Sequence, residues 1–187
     1  PVRSVRRTGG RVQVESDRGM EEYDAVVLAS HADESLAMLA DPSAEEQRLL
    51  GAWEYSRNRT LLHTDTSFMP PLAKAWASWN YQRTGSLQEG SPVMLTYWMN
   101  RLQGLRTKAQ YCVTLNPRRQ PATGATIREL LYTHPVYTTA SLATQEGISG
   151  LSGDRNTCYC GSYLGYGFHE DAVKSAVAAA RLFGVEQ

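Results

Sequence analysis

A chain of 187 residues is long enough for one domain with a sizeable core, or for two half-domains of something larger. Its 19 Lys and Arg balance 19 Asp and Glu, so bulk composition gives no indication of nucleic acid or an acidic membrane as the partner. No run approaches the ~18 apolar residues of a transmembrane helix, and no charged-then-apolar leader opens the chain.

The chain starts at Pro1, inside a strand pattern, as expected of a fragment, a processed product or a partial reading frame. Residues 2–6 and 11–16 alternate Val2, Val12 and Val14 with polar side chains around Gly9-Gly10, which predicts a β-hairpin. Arg3, Arg6 and Arg7 in it read as a solvated strand face. Asp17-Arg18-Gly19 is a second turn. Ala25 to Ala29 is then an unbroken apolar run, the pattern of a strand buried on both faces of a parallel sheet. Ser30 and His31 stand at its C-terminal end. A helix follows, with Asp33 as the expected N-cap and Leu36, Leu39 and Ala40 on one face. Ser43 and Glu46 make a capping box for a second helix over residues 44–53, with Leu49, Leu50 and Trp53 as its apolar stripe.

From residue 59 the period moves toward two. Strands are expected at 60–63, 76–81, 93–98, 111–115 and 129–133, separated by Pro70-Pro71, Gly85, Gly90, Pro92, Gly104 and Pro117. This predicts a mixed or antiparallel sheet. Residues 137–147 read as a helix, 156–160 as a strand, and 171–183 as a final helix presenting Val173, Ala176, Val177, Ala180 and Phe183 on one face. Cys158 and Cys160 flank Tyr159 on the last strand and share a face. With Cys112 they are too few for a disulfide framework, and buried reduced thiols in a cytoplasmic protein are expected. The expected fold class is α/β plus α+β. Residues 1–56 and 153–187 form pieces of one α/β domain, and residues 57–152 form a β-rich insert.

The sharpest chemical signal is CGSYLGYGFHEDAVKSAVAAARLFG at 160–184: a strand, three glycines in seven residues, then a helix. Glu170 and Asp171 at the helix start suit the helix dipole and would repel a phosphate there, so a neutral or weakly anionic ligand fits better. His169 is the titratable residue of this loop. His63 and Asp65, two apart on a strand-like run, could form an oriented acid/base pair. The aromatic residues Trp76, Trp79, Tyr81, Tyr97 and Trp98 could line a flat or lipid-like pocket, with Asn80 and Asn100 as its polar groups. No nucleophile triad, phosphate loop or metal-ligand spacing is visible.

YDAVVLASHADESLAML (23–39) and the 160–184 stretch resemble two late FAD-domain segments of the flavin-containing amine oxidase and desaturase superfamily. LLHTDTSFMP, AWASWNY, LTYWMNRLQ, VTLNP and HPVYT, in that order, extend the resemblance to a bacterial family of FAD-dependent oxidoreductases associated with cyclopropane-fatty-acid synthase. The resemblance covers nearly the whole chain. It implies the C-terminal portion of an FAD/NAD(P)-binding Rossmann-like domain with an inserted substrate domain on a mixed sheet, and a small-molecule or lipid substrate. It also implies that Val2 lies in the segment that contacts the adenine, and that Ser30 and His31 pass near the FAD. Gly161, Ser162, Gly165, Tyr166, Gly167, His169, Glu170 and Asp171 would approach the ribityl chain and flavin ring. Catalytic candidates are His169 and His63; pocket candidates are Trp79, Asn80, Tyr97 and Asn100. Ser162 departs from the family, which often has Asp or Glu there. The family's GxGxxG phosphate loop does not occur in this chain. An N-terminal FAD-binding half is therefore an expected partner, and a non-catalytic fragment or interaction module that cannot hold FAD without such a half is the alternative reading.

Overall fold

The computed structural model describes residues 1–82 and 93–185; the breaks expected at Gly85, Gly90 and Pro92 lie outside them. The chain packs as two compact units, Pro1–Ser56 with Pro135–Gln187, and Arg57–His134.

In the first unit, β1 (Val2–Thr8) and β2 (Arg11–Ser16) form the antiparallel hairpin, with Gly9 and Gly10 both at positive φ as a tight hairpin turn requires. A third strand, β3 (Gly19–Tyr23), pairs with β2. All five of its residues are exposed, so it carried no hydrophobic alternation to reveal it. The apolar run yields only β4 (Val26–Leu28). Helix α1 (Ala32–Met38) is capped at His31, not at Asp33: the His31 N–H donates to Glu34, while the Asp33 carboxylate accepts from Glu34 N–H inside the first turn. The Ser43–Glu46 capping box opens α2 (Ala44–Leu50) as expected, and Leu49, Leu50 and Trp53 are buried.

The second unit holds β5 (Tyr55–His63), which enters from the first unit, then β6 (Trp79–Gln82), β7 (Met94–Trp98), α3 (Met99–Leu102), β8 (Cys112–Leu115) and β9 (Thr126–Pro135). The sheet order is β6-β7-β8-β5-β9. The β6–β7, β7–β8 and β5–β8 pairings are antiparallel. Alternation sorts the sheet cleanly. Asn80, Thr96, Thr114 and Leu61 make one buried row, while Trp79, Tyr97, Val113 and Leu62 make a row on the opposite, open face.

The chain returns to the first unit at Pro135, earlier than the expected residue 153. The predicted 137–147 helix is two short ones, α4 (Thr139–Leu142) and α5 (Gln145–Leu151). They belong with the first unit because Ile148 and Thr144 pack under α2: Ile148 shares its core with Leu49, Leu50 and Trp53, and the Trp53 indole donates to Thr144 Oγ1 at 3.0 Å. Strand β10 (Thr157–Tyr159) then pairs parallel with β4, and α6 (His169–Arg181) closes the described chain.

The pair is covered on one face along both strands and on the other only over β10, where Val27 of β4 stays 43% exposed. Tyr159 and Leu28 point to the α2/α5 core, while Cys158 and Cys160 meet Ala179 of α6 as free, buried thiols. The helix uses the expected apolar stripe only in part, with Val177 and Ala180 half-buried. Ala172, Ser175 and Ala179 face inward, and Val173, Ala176 and Phe183 are exposed. Small residues let α6 approach closely enough for Ser175 Oγ to accept from Gly161 N–H at 2.9 Å. A larger apolar face could not sit at that distance.

Arg7 also departs from the solvated-face reading. It is buried, and its guanidinium holds Glu46 bidentately at 2.8 and 2.9 Å and Asp41 at 2.9 Å. Glu46 further accepts from Tyr159 Oη at 2.6 Å and Ser43 N–H at 2.7 Å. Arg155 pairs with Asp41. One buried carboxylate thus ties β1, α2 and β10 together.

Candidate active-site cleft

The two parallel strands end side by side. β4 runs out into Ala29, Ser30 and His31, and β10 into Gly161 and Ser162. A cleft of about 340 Å3 opens there, lined by these residues with Glu34, Tyr55, Pro135, Tyr163 and Ala172. Its floor is ordered by local bonds. Ser30 Oγ meets Ser35 Oγ at 2.8 Å, and the His31 ring stacks on Tyr55 at 4.3 Å and 18°. The Tyr55 hydroxyl accepts from Ala32 N–H at 2.8 Å. Burial, helped by Asp33 and Glu34, outweighs the lowering effect of the Ala32 N–H and pushes that phenol up to about 12, so it stays neutral.

The glycine loop forms the other wall. Gln145 Nε2 grips it by donating to Tyr163 O at 2.9 Å and Gly165 O at 2.7 Å. Asp171 accepts from Tyr166 and Phe168 N–H at 3.1 and 2.9 Å, so this carboxylate caps α6. Glycine is required at two points of close approach. A Cβ on Gly165 would lie 2.5 Å from the Asp171 carboxylate, and Gly167, at φ +89°, would place one 2.8 Å from the Tyr137 hydroxyl.

The sequence candidates thus divide. Ser30, His31, Gly161 and Ser162 converge on the cleft. Tyr166, Gly167, His169 and Glu170 are exposed at the start of α6, and Gly165 and Asp171 shape the loop without lining the cleft. Val2, exposed at the start of β1, is also not among the lining residues. Tyr55, Glu34 and Gln145 were not foreseen, since only tertiary contact reveals them.

Tyr163 was not foreseen either. It is 2% exposed, packs edge-on to Trp53 at 5.5 Å, and its hydroxyl has no hydrogen-bond partner among the described residues. Burial raises its phenol strongly. A buried, unpaired hydroxyl costs about 1–3 kcal/mol. Tyr163→Phe is therefore expected to leave stability unchanged or to raise it by up to about that amount. A fall in the urea midpoint of this variant would contradict the assignment.

In the second unit, His63 and Asp65 do not form an acid/base pair. The strand ends at His63. The ring accepts from Asp65 backbone N–H at 3.2 Å and its Nε2 meets Thr114 Oγ1 at 2.8 Å. The Asp65 carboxylate turns instead to Ser67 N–H at 2.9 Å and Ala122 N–H at 2.9 Å. Burial lowers the histidine from its usual value, outweighing the carboxylate, so the ring is neutral. Asn80 and Asn100 are buried and staple turns. Asn80 donates to Ala77 O at 2.6 Å and Thr96 O at 3.2 Å, and Asn100 accepts from Tyr111 N–H and donates to Ala109 O. Trp79 and Tyr97, by contrast, stand opposite each other on the open face, where Trp79 is 58% exposed. Beside them lies a hollow of about 400 Å3 walled by Leu62, Val113, Met99, Leu105, Leu130 and Tyr132.

No protein-family model matches the chain, and no curated protein matches it in sequence. Solved structures do match its fold. The CLA-producing fatty acid isomerase from P. acnes superposes over 100% of the chain with a TM-score of 0.64 at 15% identity. Putrescine oxidase bound to putrescine covers 99% at 0.60 and 10% identity, and cyclohexylamine oxidase from Brevibacterium oxydans IH-35A covers 100% at 0.58 and 10%. The fold is amine-oxidase-like. At such identities the likeness speaks of fold alone, and the chain spans about half of each structure, 47%, 48% and 49%.

Proposed function

We propose that the chain is the flavin-facing, C-terminal portion of an FAD-dependent oxidoreductase, serving hydride transfer from substrate to flavin. The observation that carries this reading is the cleft at the carboxyl ends of β4 and β10, where α/β sheets characteristically take ligands. Its chemistry fits part of FAD. The lining is small and hydroxylic at Ala29, Ser30, Gly161, Ser162 and Ala172, and it contains no Lys or Arg. That set suits ribityl hydroxyls and a ring edge, and it does not suit a pyrophosphate. FAD, when bound, supplies the redox chemistry.

The chain's own residues bind and orient. Ser30 and Ser162 offer hydroxyls, and His31 is held by its stack on Tyr55. The first N–H groups of α6, at His169 and Glu170, lack intrahelical acceptors and favour negative charge nearby. His169 is the remaining acid/base candidate, because His63 is buried and engaged. The 57–134 unit would hold substrate on its open face. The Trp79–Tyr97 pair and the apolar hollow support a flat or acyl group, and Asn80 and Asn100 take no part in that surface. The alternative, a module needing a separate FAD-binding half, is favoured by β4. Val27 lies within an unbroken apolar run yet is 43% exposed, and its sheet has two strands among the described residues.

Both readings meet one experiment. The purified chain is mixed with FAD, alone and with a polypeptide carrying the GxGxxG half, and bound flavin is measured by absorbance after gel filtration. Flavin is expected to be retained only with the second polypeptide, and less of it when Ser30 is changed to Trp. If neither sample retains flavin, or Ser30→Trp binds normally, the cleft does not hold FAD.

A further inference from the structure

The zero net charge conceals a separation. The 57–134 unit carries ten Lys and Arg against three Asp and Glu, a net +7, and the remaining residues carry nine against sixteen, a net −7. Two of the three acids, Asp65 and Glu129, already face Arg119 and Arg59. Between them the sequence holds a single further acid, Glu89.

Uncompensated charge gathers where two loops meet. Arg101 Nη1 donates to Trp76 O at 3.0 Å, and the Trp76 and Trp98 rings meet edge-on at 5.2 Å. These contacts bring the 70–76 turn beside α3 and the loop after it. The two segments expose Leu72 (73%), Leu102 and Leu105, interleaved with the exposed cations Lys74, Arg101, Arg106 and Lys108. None of these four cations is in an ion pair among the described residues. In water such a surface has both self-repulsion and exposed aliphatic area.

We propose that this edge docks on an anionic phospholipid surface. Leu72, Leu102 and Leu105 enter the boundary between headgroups and acyl chains, and the four cations pair with lipid phosphates. Nucleic acid would match the charge, but the leucines offer a base neither stacking nor hydrogen bonds. The proposal does not depend on the flavin assignment.

The test is flotation of the purified chain with vesicles of phosphatidylcholine alone, or of phosphatidylcholine mixed with phosphatidylglycerol. The chain is expected to float with the mixed vesicles only and to be released by high salt. Each cation near the surface contributes about fivefold to partitioning. The double variant Arg106→Glu, Lys108→Glu should therefore lose at least about tenfold, and Leu72→Ser should weaken flotation as well, with thermal unfolding unchanged in both because these side chains are exposed. Equal flotation on neutral vesicles, none on either, or variants that float like the parent would overturn the proposal. So would single-stranded RNA bound more tightly than the mixed vesicles and indifferent to the leucine changes.

Discussion

Glu46→Ala is expected to destabilise the Pro1–Ser56/Pro135–Gln187 unit by about 3–5 kcal/mol, because it leaves the Arg7 guanidinium buried without its main counter-charge. The same change releases the Tyr159 hydroxyl and the Ser43 N–H, so β1, α2 and β10 loosen together. Burial by itself would raise the Glu46 carboxyl. The paired hydrogen bonds from Arg7, with those of Tyr159 and Ser43, prevail and hold it at about 2. A carboxyl depressed in the folded state contributes stability that is complete above its ordinary value of 4.5 and fades as pH falls toward 2. Urea midpoints between pH 6 and pH 2 should therefore decline through that window in the parent chain and much less in Glu46→Gln, which is already weakened at neutral pH. A Glu46→Gln chain with the parent's acid profile would remove Glu46 from the account.

Gly165→Ala is expected to cost about 2–4 kcal/mol, far more than glycine-to-alanine changes usually do. The added Cβ would sit 2.5 Å from the Asp171 Cγ and 2.6 Å from its Cβ, and that short side chain has no other place to go while it caps Tyr166 and Phe168. Displacing it frays the start of α6. Gly150→Ala is the control. Gly150 lies within α5 with nothing near the position of a Cβ, so alanine there should stabilise by about 0.5–1 kcal/mol. Opposite signs for one substitution at two glycines would isolate the steric role of Gly165. A neutral Gly165→Ala would show that Asp171 is not confined.

The candidate site was legible where local rules apply. A strand followed by glycines and an acidic helix start marked residues 160–171, and an apolar run ending in Ser-His marked residues 30–31. The structure brings Ser30, His31, Gly161 and Ser162 to one cleft because the two strands pair in parallel, a long-range fact with no local signature. Tyr55 and Gln145 were invisible for the same reason. The pocket candidates divided by alternation: Trp79 and Tyr97 share the open face, and Asn80, one residue on, falls on the buried side. β3 escaped because an exposed strand such as Met20-Glu21-Glu22 has no apolar period.

The sequence by itself determined the hairpin, the Ser43–Glu46 cap, the five strands of the 57–134 unit and the glycine turn before the last helix. Each depends on residues within a few positions of one another. Only the tertiary structure decided that Arg7 is buried, that α6 turns its small residues inward, and that the balanced charge divides into a basic and an acidic unit. Burial and electrostatics are set by what packs against a residue from far along the chain, and net composition averages that away.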